Sequence, residues 1–380
     1  MANAQEDELQ YPLGARVPAP AEVLEVADGV RWLRPALPFA LDHINLWLLR
    51  DREDGPGGQR EGWTVVDCGL DNPGTRAAWE RVFAEALDGL PVLRVVCTHM
   101  HPDHIGLAHW LCERWQCRLW ISAADWAMAR AVSLQSGDAH SGDSAAAFFA
   151  RHGLADPDSL AKVRARRNYY VTMVPAVPPR YRRLMHGMAL RIGAHAWRCH
   201  AGFGHAPEHM ALHAPTVGWR HGGGGASGGT GALISGDMVL PRISTNVSVM
   251  EFEPEANPLA LYLDSIAALR ALPAHTLVLP SHGRPFVGLH RRIDQLGAHH
   301  AERFAQVLEA CAHEPRSAAD LLDVLFARAL DLHQTVFALG ESIAHVHALA
   351  ERGQLEAVPG ADGVLRWRSV AGGDPRTGRR

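Results

Sequence analysis

Lysine is almost missing from this chain. Lys162 is the only one, so nearly all positive charge is carried by arginine. The formal charge is −4 and the pI about 6.6. Nothing in that balance suggests a polyanion partner for the chain as a whole. No apolar run reaches the length of a membrane span, so no membrane partner is expected. The opening residues Met-Ala-Asn-Ala-Gln-Glu-Asp-Glu lack the apolar core of a secretory signal, and a cytoplasmic location is the default expectation. The six cysteines, Cys68, Cys97, Cys112, Cys117, Cys199 and Cys311, are scattered, with no CxxC. A disulfide framework is excluded, and reduced, mostly buried thiols are expected. Cys112 and Cys117 are five apart on a predicted helix, which places them on different faces. There is no GxSxG and no Ser/His/Asp nucleophile pattern. The glycine-rich run 222–229 lacks a following Lys-Ser/Thr, so it is a flexible hairpin connection and not a phosphate loop.

What is there suits a globular protein of 380 residues with one large domain and a small one. Hydrophobic residues make up 47% and charged residues 21%, an ordinary balance. Residues 1–21 are polar and Pro/Ala-rich and are expected to be flexible. Strands are predicted at 22–26, 30–34, 44–50, 63–67 and 93–97, with helices at 74–88 and 105–116. From about 122 to 185 the pattern is helical, with Ser122 and Asp143 as N-caps and Gly153 as a C-cap, and is read as an insertion. Strands return at 188–192, 194–199, 209–213, 231–235 and 276–280. Asn257-Pro258 opens a helix with a cap and an N1 proline. Helices are predicted over 288–313, 317–326 and 334–352, and a two-stranded wing over 355–369. The last residues, 371–380, are expected to be disordered. Two blocks of alternating strands and helices before residue 288 suggest a sheet-on-sheet core covered by helices.

Histidine is abundant, with 23 in the chain, and its placement is informative. Thr98-His99-Met100-His101-Pro102-Asp103-His104 follows an apolar strand directly. Imidazole and carboxylate donors suit zinc, and also iron or manganese. Chance matches to four such specified positions are expected in roughly 1% of sequences or fewer. One loop cannot close two metal sites, so other ligands must come from elsewhere. Three later segments each put a polar residue just after an apolar strand. They are His200-Ala201-Gly202-Phe203-Gly204-His205-Ala206-Pro207-Glu208-His209, Ser235-Gly236-Asp237 and Ser281-His282-Gly283.

HxHxDH, then GHxPxH, then SGD, then SHG, in that order, resembles the metallo-β-lactamase superfamily over residues 22–286. The resemblance implies an α+β protein. Its fold would be an αββα sandwich of the metallo-β-lactamase type, with the helical insertion and a small C-terminal winged-helix-like domain. It implies a catalytic domain over 22–287, the insertion at about 122–185 and the appendage over 288–370. It puts His99, His101 and His205 on one metal, and Asp103, His104 and His282 on another, with Asp237 bridging both. This is closer to the glyoxalase II branch than to true β-lactamases. Glu208 stands where the usual motif has glycine. Among the nearby histidines, the family pattern selects His205 as the ligand, not His200 or His209. Asp67 is expected to support the metal loop from behind.

Two divalent cations, Zn2+ first and Fe or Mn next, would lower the pKa of a bridging water and polarise a carbonyl. Asp103 is the expected catalytic proton carrier. His104 and His205 are 101 positions apart, and the insertion accounts for that distance. It should shape the substrate pocket, with Tyr169, Tyr170 and Tyr181 as substrate-binding candidates beside Arg180 and Arg182. His43 is read as ordinary structure. The C-terminal region is similar to the winged-helix appendage of the lactamase-beta-like 2 type, some of whose members cut RNA. Residues 301–380 hold nine arginines against eleven acidic residues, so no basic stripe exists and a nucleic-acid partner is not expected. Packing against the lid or a partner subunit, as in a homodimer, is expected instead. The expected substrate is a small-molecule thioester or ester, of the acyl-CoA or S-acyl-glutathione type. The alternatives are a lactone and, for an endoribonuclease, RNA.

Overall fold

Leu46, Trp47, Leu48 and Leu49 are all buried, and they alternate between two cores. Leu46 and Leu48 face a helical layer, while Trp47 and Leu49 face a second sheet. A strand covered on both sides reads as a continuous apolar run. A computed structural model describes residues 5–39, 41–55, 58–134, 142–165, 169–220, 229–326, 330 and 332–370. These residues fall into two compact units. The first is built from 1–135, 169–245 and 265–293, the second from 136–168, 246–264 and 294–380.

The first unit contains two sheets. One has the order β1 (Val23–Ala27), β2 (Val30–Leu33), β3 (Leu46–Gly55), β4 (Gly58–Val66), β5 (Val92–Val96), β6 (Arg118–Ser122) and β7 (Tyr181–Leu184). From β4 onward the strands run parallel. The other has the order β13 (Phe286–Val287), β12 (Leu277–Pro280), β11 (Gly229–Gly236), β10 (His209–Trp219), β9 (His195–Gly202) and β8 (Ala189–Ile192). Trp32, Trp47 and Val96 of the first sheet pack with Trp197, Leu212 and Ile234 of the second. On the other face of the first sheet lie α1 (Pro73–Glu85), the short α2 (Pro102–Ile105), α3 (Ala108–Trp115) and α4 (Ala123–Leu134), contributing Trp79, Ile105, Leu111 and Ala129. Asn72 caps α1, its side chain accepting from the Thr75 N–H, with Pro73 at the first helical position.

The insertion predicted at 122–185 is helical but not one body. It holds α4, α5 (Asp143–Arg151), α6 (Pro157–Arg164) and α7 (Tyr169–Met173). Its last residues are not part of it: Tyr181–Leu184 form the parallel edge strand β7, which the exposed arginines there concealed. Residues 5–21, expected to be flexible, are held in part. Leu9 and Leu13 are buried, and Gln10 bridges to Val287. β10 and β11 pair antiparallel, with Trp219 opposite Gly229. The glycine-rich stretch between them lies outside the described residues, as do residues 1–4 and 371–380.

The second unit holds α5, α6, most of α9 (Leu289–His313), β14 (Arg316–Ser317), α10 (Leu322–Leu325), α11 (Leu332–Glu351), β15 (Leu355–Pro359) and β16 (Leu365–Ser369). Its small sheet has the order β14-β16-β15. The helix predicted over 317–326 is a short strand followed by one turn, because the Ser317 N–H and hydroxyl both bond to Asp320. At Gly153, with φ 100°, a Cβ would meet the Ser317 side chain at 2.3 Å, so α5 ends where only glycine fits. The helix opened by Pro258 is α8 (Pro258–Ala268), followed by one 3-10 turn.

Candidate metal centre

All the strands that carry predicted ligands end at one edge of the first unit. β4 and β5 are parallel neighbours, so Asp67 and the loop from Thr98 leave the sheet side by side. β11 and β12 are also parallel, which brings Asp237 and His282 together. The β9–β10 hairpin turns at the same edge and carries His205. Parallel pairing gathers residues within each sheet, and the packing of the two sheets joins the groups, so that His101 meets His205 from 104 positions away.

Three imidazole nitrogens face one another. His99 Nε2 lies 2.9 Å from His101 Nδ1, His101 Nδ1 lies 3.0 Å from His205 Nε2, and His205 Nε2 lies 3.2 Å from His99 Nε2. Nitrogens about 2.0–2.1 Å from a tetrahedral zinc would be about 3.3 Å apart, close to these edges. Beside them, Asp103 Oδ2 lies 3.4 Å from His282 Nε2 and 3.6 Å from His104 Nε2. Asp237 spans the two groups. Its Oδ2 is 3.3 Å from His205 Nε2, while its Oδ1 is 3.6 Å from His104 Nε2 and 3.5 Å from His282 Nε2. His99, His101 and His205 form one potential metal-holding group, and Asp103, His104 and His282 another; His99, His104 and Asp237 link them.

The donor set fits cations. His104 Nε2 and Asp237 Oδ1 are buried and have no hydrogen-bond partner among the described residues, an arrangement that costs free energy unless something satisfies them. Burial alone would strip protons from His104 and His282. Asp103, Asp67 and Asp237 outweigh it at His104, and Asp237 and Asp103 do so at His282, so both are pushed up. Burial and the neighbouring rings push His99 far down and His101 down to about 3. Burial raises Asp103, but His104 and His282 bring it down to about 2. The carboxylates thus draw positive charge into a dry pocket, which is the demand a pair of divalent ions meets.

Supporting groups aim each ligand. Asp67 Oδ2 accepts from His104 Nδ1 at 2.8 Å, which leaves Nε2 facing the centre, and Asp67 Oδ1 takes the Thr98 N–H at 2.7 Å. His282 Nδ1 donates to the His43 carbonyl at 2.7 Å, and His43 Nε2 accepts from the Gly283 N–H. Asn45, fully buried, donates to the Pro280 and Gly283 carbonyls and fixes the same loop. His209 Nε2 accepts from the Asp237 N–H at 3.2 Å, and His209 lies outside the three groups that could hold a metal. Gly236, with φ 53°, lies against it: a Cβ there would sit 2.0 Å from His209 Nε2. His200 is away from the centre, its ring beside those of His186 and His213.

Sequence reasoning missed Asp125. Its Oδ1 accepts from the Met100 N–H at 2.8 Å and its Oδ2 from the Glu208 N–H at 2.7 Å, tying the first ligand loop to the second. Burial pushes its carboxyl up to about 6 against these bonds. The signal was Ser122-x-x-Asp125, a capping box in which the Ser122 hydroxyl accepts the Asp125 N–H. Glu208 replaces the usual glycine without strain, because its backbone does not enter the left-handed region. The three tyrosines are placed differently. Tyr170 donates to the Met100 carbonyl at 2.6 Å, so its hydroxyl is committed to the metal loop. Tyr181 stacks on Trp126 at 4.4 Å. The Tyr169 side chain lies outside the described residues. Arg182 sits over the Trp120 ring.

Residues 41–282 match the family model described as the Metallo-beta-lactamase superfamily, and 304–370 match "Metallo-beta-lactamase-like, C-terminal domain". Among curated proteins none matches significantly. A beta-lactamase domain protein from Burkholderia ambifaria, solved by crystallography, is 50% identical over 97% of this chain and 100% of its own, with a TM-score of 0.87. A metallo-beta-lactamase family protein from Thermus thermophilus is 26% identical over 90% of this chain and 99% of its own, with a TM-score of 0.66. Ligand order, donor geometry and these matches agree: the chain belongs to the metallo-beta-lactamase superfamily.

Proposed function

We propose that the chain is a dinuclear hydrolase acting on the carbonyl of a small-molecule thioester or ester, of the acyl-CoA or S-acyl-glutathione type. The observation that carries this reading is Asp237, whose two carboxylate oxygens face two separate groups of donors. His99, His101 and His205 would hold one ion and Asp103, His104 and His282 the other, with zinc the first choice and iron or manganese next. Two such ions, when bound, lower the pKa of water and polarise a carbonyl oxygen.

The chain's own residues do the rest. Asp103 is a carboxylate at the inner face of the pocket, placed to accept a proton from the attacking water and return it to the leaving group. Asp67, His43 and Asn45 hold His104 and His282 in orientation, and Asp125 and Tyr170 hold the loop that carries His99 and His101. Substrate contacts are proposed for Tyr169 and Tyr181, and a positioning role for Tyr170. No helix among the described residues is long and apolar enough to cross a membrane.

A lactone would meet the same site. The endoribonuclease reading draws on the order α9-β14-α10-α11-β15-β16, which resembles a winged helix. The shortage of positive charge in 301–380 weighs against it. The test is a panel of thioesters, lactones, phosphodiesters and RNA on metal-loaded enzyme. Metal-dependent release of free thiol, lost on Asp103→Asn, supports the proposal. RNA cleavage with steep salt dependence and no thioester or ester turnover would overturn it.

A further inference from the structure

Helix α3 ends at Trp115, and Gln116 turns left-handed at φ 50°, ψ 40°. The Gln116 N–H and the Cys117 N–H both reach the Cys112 carbonyl, the latter at 3.2 Å. At a helix end of this kind, the side chains of the residue four before the left-handed one and of the residue just after it meet. Here both are cysteine. Cys112 and Cys117 are therefore neighbours, contrary to the separate faces predicted for a continuous helix. The turn brings the two residues side by side, and both are half-buried against the core that Trp110 and Trp115 also pack on.

The other thiols are differently placed. Cys68 and Cys97 are also adjacent, with Sγ atoms 3.7 Å apart, but both are wholly buried. Cys199 and Cys311 are buried and have no thiol neighbour described. Among the six cysteines only the Cys112–Cys117 pair combines a neighbouring thiol with partial solvent access. The neighbouring Cys112 thiol brings the Cys117 pKa down against the effect of burial, while Arg60 lowers it and Glu53, ion-paired to Arg60, raises it.

We propose that Cys112 and Cys117 are a reversible thiol–disulfide pair that reacts with hydroperoxides. The Cys117 thiolate attacks the outer peroxide oxygen, the O–O bond breaks, and the alcohol or water leaves with the thiol's proton. Sulfur is oxidised by two electrons, giving a sulfenic acid at Cys117. The Cys112 thiol then displaces the hydroxyl as water and the S–S bond forms. The sum is two thiols and one hydroperoxide giving one disulfide, one alcohol or water, and one further water. Two equivalents of a small thiol reverse it by exchange.

Trypsin makes the pair directly readable, because it cuts at Arg114 between the two cysteines. The reduced full-length protein is treated with hydrogen peroxide, alkylated and digested without reduction. The expected product is peptide 95–114 joined to 115–118, with fragmentation placing the bond at Cys112 and not Cys97, and with dithiothreitol restoring both alkylated peptides. In Cys112→Ser, dimedone should trap a sulfenic acid at Cys117. The wild-type map alone decides the matter if that variant does not fold. A 115–118 peptide that stays fully alkylatable under peroxide that oxidises methionines would overturn the proposal. So would Cys117 passing to sulfinic acid with Cys112 still free, or a bond to any other cysteine.

Discussion

Asp67 accepts the His104 Nδ1 proton at 2.8 Å from a backbone held in the left-handed region at φ 62°. A non-glycine residue there is strained unless its surroundings hold it, and the two bonds from Thr98 do so. The strain is located where the ligand ring must be aimed.

Asp67→Ala should therefore weaken metal binding at the Asp103/His104/His282 group by about 10–100-fold, the usual effect of losing such an orienting carboxylate. Competition with a chromophoric chelator measures it. Asp67→Asn, which tolerates the left-handed backbone, should fall between alanine and wild type.

Metal content tests the bridging role of Asp237. Elemental analysis should give close to two ions per chain. Asp237→Ala should abolish hydrolysis and deplete metal, and full activity with normal content would refute the two-ion assignment.

Asp125 is predicted to act on stability as well as on the site. Asp125→Ala would leave the buried Met100 N–H and the partly buried Glu208 N–H without acceptors, at about 1–3 kcal/mol for the buried group and less for the other. Urea unfolding with and without metal should show the loss in both, since the bonds it removes are not metal ligands.

Acid should destabilise the second unit. Burial pushes His300 down to about 3, and His152 and His345 down to about 4, with neighbouring histidines adding to it at His300 and His152. These rings are neutral in the folded state but take up protons below about 6.5 when unfolded. Their stabilising contribution is complete above pH 6.5 and is lost as pH falls towards 4. For a group shifted to about 4 the loss is of order 3 kcal/mol. Glu341 in the same unit, pushed up to about 7 by burial, works the other way between pH 7 and 4.5, so the urea midpoint should drop chiefly towards the acid end of that window, and His345→Gln should make the slope shallower.

The fold and the cluster of candidate metal-holding residues were legible in the sequence because both depend on local pattern. Apolar runs such as 46–49 and 93–96 mark strands covered on both faces, and the candidate residues lie just past strand ends, where a motif can be recognised. What escaped depended on partners far away or on a single backbone angle. Asp125 looks like a helix cap, and nothing in its spacing indicates that it also meets Glu208, 83 positions on. Tyr170 is an aromatic in a helical stretch until its hydroxyl is seen on Met100. The two exposed arginines in 181–184 hid an edge strand. Gln116 alone separates the predicted continuous helix from the turn that brings two thiols together.

The division of the chain also constrains the order of events during synthesis. The second unit is assembled from three separated stretches, and its helix α11 and hairpin β15–β16 come last from the ribosome. Helices α5 and α6 are made well before those elements, and the His152 ring that follows α5 must wait for its neighbour His347 in α11. Contacts of such long sequence separation form slowly and leave intermediates prone to aggregate. A nascent chain stalled between residues 170 and 330 should therefore be the species most dependent on chaperones.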